Sequence, residues 1–119
     1  MRYVSTRGAW TQSPRPFREI LLEGLAPDGG LAVPQSYPRF TAAELAAMRG
    51  LDYRALAFAV LSRFIDDIPS PELRRLIDAT YTAATFGSDE VTPLLTLEAG
   101  LALLRVSNGP TLAFKDIAL

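Results

Sequence analysis

The chain has no cysteine, no histidine, one lysine and one tryptophan among its 119 residues. Without cysteine it has no disulfide framework, and without cysteine and histidine it has no zinc site of the usual kind. Without histidine it cannot build a Ser-His-Asp triad from its own residues. An excess of charge of one sign is also missing. Twelve basic and thirteen acidic side chains leave a net charge of −1, which is no electrostatic footprint for nucleic acid or an anionic membrane. No run reaches the ~18 apolar residues of a membrane helix, and the opening "MRYVSTRGAW" has no signal-peptide core. The expectation is a cytoplasmic chain, without internal repeats or low-complexity segments.

What is present is apolar and moderately charged, 49% and 21% of residues respectively, as in a globular domain with one modest core. "RYVST" reads as a first strand, at about 2–6, and "TQSPRP" as a proline-broken loop with Pro16 opening a helix. In "FREILLEGL", Phe17, Ile20, Leu21 and Leu25 recur at helical spacing and Gly24 stops the helix, giving about 17–23. "APDGGLAVP" places a turn around Pro27, Asp28 and Gly29, followed by a short strand at 31–33.

Thr41 and Glu44 fit a capping box for a helix at 41–49, ended by Gly50. Tyr53, Leu56, Ala57, Val60, Leu61, Phe64 and Ile65 form an apolar stripe that predicts a helix at 53–66. "SPELRRLIDATY" predicts another at 71–82, with Ser70 as N-cap, Pro71 in the first turn, and Leu73, Leu76, Ile77 and Tyr81 facing inward. After Gly87 come two short apolar runs, read as strands at 93–97 and 101–106. Helices in the middle with strands at both ends make a small α+β domain, not a doubly wound one.

The single lysine, Lys115, stands out because the other eleven basic residues are all arginine. Arginine stays protonated, whereas a lysine amine can lose its proton and act as a nucleophile or form a Schiff base. Thr111 reads as the N-cap of a helix of about eight residues beginning at 112. Its dipole and the apolar Phe114 would both disfavour the ammonium form. The alternative is one lysine on a solvated helix face.

Other features have plainer readings. Asp66 and Asp67 read as a solvated loop ahead of "IPSP", not a metal or acid–base pair. "DGG" is followed by no nucleotide-binding helix pattern. Trp10 is either a contact residue or a cap over the core.

"GPTLAFKD", Gly109 to Asp116, resembles the lysine motif of threonine synthases, enzymes that use pyridoxal 5′-phosphate (PLP). "YVSTRG", "LLEGLAPDGGLAVP" from Leu21 to Pro34, and "DEVTPLL" from Asp89 agree with that family in order and spacing. The resemblance implies conversion of O-phospho-L-homoserine and water into L-threonine and phosphate. It also implies Lys115 as the residue that holds PLP as a Schiff base and later moves protons. It divides the chain into an N-terminal domain, residues 1–90, and the first strand and lysine motif of a fold-type II PLP domain, residues 91–119. On that division the 119 residues alone are expected to be inactive, and the apolar side chains of 112–119 are expected to meet a second copy of the chain.

The commonest family pattern, Glu-Leu-Phe-His before Gly-Pro-Thr, is replaced here by Arg105, Val106, Ser107 and Asn108. Asn108 reads as subfamily variation, whereas Arg105 leaves the role of its position open. A non-catalytic interaction domain is the alternative function. A PLP-dependent dehydratase shares a lysine motif but does not account for "STRG" or "APDGGL".

Overall fold

The computed structural model describes residues 1–118. Its elements are β1 (Tyr3–Ser5), α1 (Phe17–Glu23), β2 (Ala32–Pro34), α2 (Ala42–Met48), α3 (Tyr53–Phe64), α4 (Ser70–Thr80), α5 (Ala83–Phe86), β3 (Leu94–Glu98), β4 (Leu101–Leu104) and a 3-10 turn (Phe114–Ile117). The α+β reading holds. β1 and β2 pair antiparallel with Val4 opposite Val33, and β3 and β4 pair antiparallel with Leu95 opposite Leu103. No helix among the described residues is long and apolar enough to cross a membrane.

The core sits between α3 and α4. Ile65, Leu73 and Ile77 are buried there, with Phe17, Phe58, Leu61 and Tyr81 packed around them. Leu73 and Ile77 are four residues apart and so share one helix face. Leu76, expected beside them, is 40% exposed. α1 behaves the same way: Ile20 is buried but Leu21 faces out, and Leu25, past the Gly24 stop, is exposed as well. Consecutive helix residues diverge by about 100°, and the body covers only the Phe17–Ile20 stripe. Arg74 lays its guanidinium 3.8 Å over the Phe58 ring, so one of the many arginines caps the core with a planar cation that lysine lacks.

The helix predicted at 71–82 is two helices. α4 ends at Thr80, whose hydroxyl donates back to the Leu76 carbonyl at 2.8 Å. Tyr81 leaves helical geometry, and Thr82 caps α5 by accepting from the Thr85 N–H at 3.1 Å. Side-chain hydroxyls that bond nearby backbone compete with helix continuation, and three threonines lie in Thr80–Thr85. α4 also starts one residue early, with Pro69 at the N-cap position and Ser70 inside.

The capping box of α2 forms as predicted. Thr41 Oγ1 accepts from the Glu44 N–H at 3.2 Å, and Glu44 accepts from the Thr41 N–H at 2.7 Å. The Thr41 backbone and hydroxyl, then Arg63, lower the Glu44 pKa from 4.5 to about 2. A carboxylate with a depressed folded pKa stabilises the fold above its unfolded pKa and loses that contribution as the folded pKa is approached. Glu44→Gln should therefore lower the melting midpoint at about pH 6, and the difference from wild type should shrink between about pH 4.5 and pH 2. A difference that stays constant across that range would rule out the ionised cap.

Acidic side chains join the N-terminal strand to the rest. Asp28 accepts from the Ser5 hydroxyl at 2.7 Å, the Ala9 N–H at 2.8 Å and the Gly30 N–H at 2.9 Å. "STRG" and "PDGG" are thus two sides of one clasp. Gly30 is dictated by it, since a Cβ there would lie 2.0 Å from Ser5 Oγ. Asp66 pairs with the Met1 ammonium, while Asp67 accepts from the Arg18 N–H at 2.9 Å in the first turn of α1. Asp67 is therefore a helix cap supplied from 49 residues away, and the solvated-loop expectation holds for Asp66 alone. Trp10 is half-buried with a left-handed φ of 64°.

Candidate active site

Lys115 lies in the four-residue 3-10 turn, with its side chain exposed. The longer helix predicted from residue 112 does not form among the described residues, and Leu119 lies outside them. Thr111 is not an N-cap. The turn starts from Ala113 without a side-chain cap, and Thr111 bonds to Asp116 instead. Asp116 accepts the Thr111 hydroxyl at 2.6 Å and the Thr111 N–H at 2.8 Å. The Thr111 hydroxyl, with the N–H groups of Thr111, Ala113 and Leu112, holds the Asp116 carboxyl below its ordinary pKa. This local closure competes with a helix too short to be stable alone.

Gly109 makes the closure possible. It is buried, and a Cβ on it would meet Asp116 Cβ at 2.6 Å. Gly109, Thr111 and Asp116 of the lysine motif are therefore one device, a glycine seat for a carboxylate that ties the loop across Lys115.

Both flanks of the loop are fixed to the helical body. Asn108 Nδ2 donates to the Phe86 carbonyl at 2.6 Å and the Val91 carbonyl at 3.0 Å. The Tyr81 hydroxyl donates to the Ile117 carbonyl at 2.8 Å. Phe86 and Val91 are each only 2% exposed. Asn108 and Arg105 also line a cavity of about 320 Å³ with Ser88, Ser107 and Leu112.

The apolar surroundings expected for Lys115 are absent among the described residues: Phe114 is 66% and Leu112 74% exposed. The ion pairs among the described residues engage Asp66, Glu19, Glu44 and Glu72, and none of them engages Lys115. Lys115 offers an exposed primary amino group, the functional group that joins a carbonyl-bearing cofactor as a Schiff base, so in group type it fits PLP. Neither Tyr81 nor the pairing of Thr111 with Asp116 was visible as part of this site in the sequence. Tyr81 is 36 residues from its partner Ile117, and its spacing from Leu73 and Ile77 in the sequence marks it only as a core residue. An Asp five residues after a Thr, beside a Gly, was the available signal for the loop closure.

A family described as "Threonine synthase N terminus" matches residues 2–81. The threonine synthase of Methylobacillus glycogenes is 54% identical over 127 residues, covering 100% of this chain and 26% of that protein. The PLP-bound threonine synthase of Brucella melitensis superposes with a TM-score of 0.88 at 45% identity, covering 99% of this chain and 25% of that one. The threonine synthase of Escherichia coli does so with a TM-score of 0.78 at 29% identity, covering 98% and 25%. The chain spans about a quarter of the length of these relatives. A family match over 2–81, joined to relatives that align across the lysine loop as well, places the whole chain: it belongs to the threonine synthase family, in the N-terminal region.

Proposed function

We propose that this chain is the N-terminal part of an enzyme that converts O-phospho-L-homoserine and water into L-threonine and phosphate, with PLP held through Lys115. The observation that carries the reading is the setting of that lysine. The only lysine of the chain is an exposed amine on a closed turn, both flanks of which are bonded to the buried body. Lys115 Nζ would hold the cofactor through its carbonyl carbon and, when free of it, would hold or move a proton at that same place. Bound there, the cofactor supplies an electron sink for charge that develops on the substrate carbons.

The anchored loop holds the backbone of Lys115 against the body, while Asp116 is committed to Thr111 and pairs with no cation among the described residues. Residues 1–90 form the N-terminal unit in this reading, and 91–119 begin the cofactor unit. The β3–β4 hairpin supports that division, because its leucines are exposed on both faces, as in strands built to be buried between other layers. The cofactor phosphate and ring fall to residues outside this chain, so residues 1–119 alone should turn over no substrate.

The test uses the full-length protein. After incubation with PLP, reduction with borohydride and digestion, the peptide containing Lys115 should carry the added cofactor mass. Phosphohomoserine should release phosphate at the same time. Labelling of a different lysine would overturn the assignment, and the absence of both signals would leave a non-catalytic packing domain.

A further inference from the structure

The segment Tyr81–Val91 is where the body reaches the lysine loop. Tyr81, Phe86 and Val91 each supply a partner to the loop, from α5 and its two flanks. Resting on the reading of Lys115 given above, we infer that Asn108 and Tyr81 are positioning residues for that lysine, pinning the two ends of its turn to the 81–91 segment.

The geometry is specific on both sides. An amide nitrogen has two N–H donors, and Asn108 spends them on two carbonyls 22 and 17 residues back in the chain. Val91 holds a left-handed φ of 59° while almost fully buried. A β-branched residue persists there only when its surroundings over-determine it, and Asn108 is one of the groups that does so. Removing the Asn108 amide leaves two carbonyls beside buried side chains without their donor, a state proteins avoid.

At the other flank, the Tyr81 ring packs edge-on against Tyr53 at 5.1 Å and lies 6.0 Å from Phe86. Ring packing fixes where the hydroxyl sits, and the hydroxyl fixes Ile117, two residues beyond Lys115. Burial raises the Tyr81 pKa, so the phenol remains a donor throughout the neutral range. Among the described residues, the hydrogen bonds of the turn between the two anchors are short-range ones of its own. Its orientation relative to the body therefore depends on these anchors. Displacement of a reacting group by about 1 Å can cost on the order of a hundredfold in rate.

The experiment compares Tyr81→Phe, Asn108→Ala and the control Tyr53→Phe in the full-length PLP-loaded enzyme. Tyr81→Phe removes one oxygen and keeps the ring, so the fold is retained. In both anchor variants borohydride should still attach the cofactor to Lys115, read by mass. The visible circular dichroism of the bound cofactor, per unit absorbance, should fall at least about threefold as the mounting loosens. kcat should fall about tenfold or more, with KM for phosphohomoserine within about twofold of wild type.

Tyr53→Phe should match wild type in all four readouts. Wild-type dichroism and kcat in both anchor variants would overturn the inference while leaving Lys115 assigned. A loss of kcat that tracks only a lowered melting midpoint, with unchanged dichroism, would also overturn it in favour of plain stability. Wild-type enzyme that fails to trap cofactor on Lys115 overturns both the inference and the reading beneath it.

Discussion

Lys115→Arg should leave the full-length protein folded and essentially inactive, with turnover of phosphohomoserine down about a thousandfold or more, in the range that acid–base and covalent roles supply. The substitution preserves the charge and most of the length of the side chain. It removes the one property the reading needs, since a guanidinium neither forms the carbon–nitrogen bond to PLP nor gives up its proton. Lys115 is exposed and has no carboxylate partner among the described residues. The exchange therefore breaks no ion pair among the described residues, and the melting midpoint of the cofactor-free protein should stay near wild type. Lys115→Ala should give the same loss of turnover and of the cofactor's visible absorbance. Turnover by the arginine variant within tenfold of wild type would show that Lys115 carries only charge.

Phe86→Ala should be among the most destabilising single changes in the chain, costing about 3–5 kcal/mol. Phe86 is 2% exposed and lies on a helix of only four residues. That helix has little stability of its own and depends on packing. Its ring lies 6.0 Å from Tyr81, and its carbonyl receives the Asn108 amide, so the cavity would open beneath both the core and the lysine loop. Against a total stability of about 5–15 kcal/mol, this is a large fraction. In urea or thermal unfolding the variant should melt on the order of 10 °C or more below wild type. Leu22→Ala, at a side chain 88% exposed, should change stability by no more than about 0.5 kcal/mol. Equal effects from the two substitutions would mean that Phe86 is not the anchor its burial indicates.

Much of the local structure was readable from the residues. α1, α2 and α3 begin and end within two residues of their sequence-based limits, because their signals are local: Gly24 as a stop, the Thr41–Glu44 box, and an uninterrupted apolar stripe from Tyr53. The hairpin of β3 and β4 was equally legible from its two short leucine runs and Gly100 between them. Where the structure departs from the sequence pattern, the reason is also physical. The spacing of 71–82 does not separate α5 from α4, because the three threonines of Thr80–Thr85 allow a continued helix or a back-bonded break, and the structure has the break. The residues around Lys115 favour a longer helix, and the seating of Asp116 against Gly109 replaces it with a short turn.

The sequence alone determined the α+β class and the family resemblance, and it singled out one lysine among eleven arginines. Each of these depends on residue type and on spacings of a few positions. Only the tertiary structure decided which leucines of α1 and α4 are covered, that Asp67 caps α1, and that Tyr81 and Asn108 anchor the two flanks of the lysine loop. Those outcomes join residues 17 to 49 positions apart. A hydrogen bond across such a distance is set by how the helices pack, which no local pattern of residues encodes.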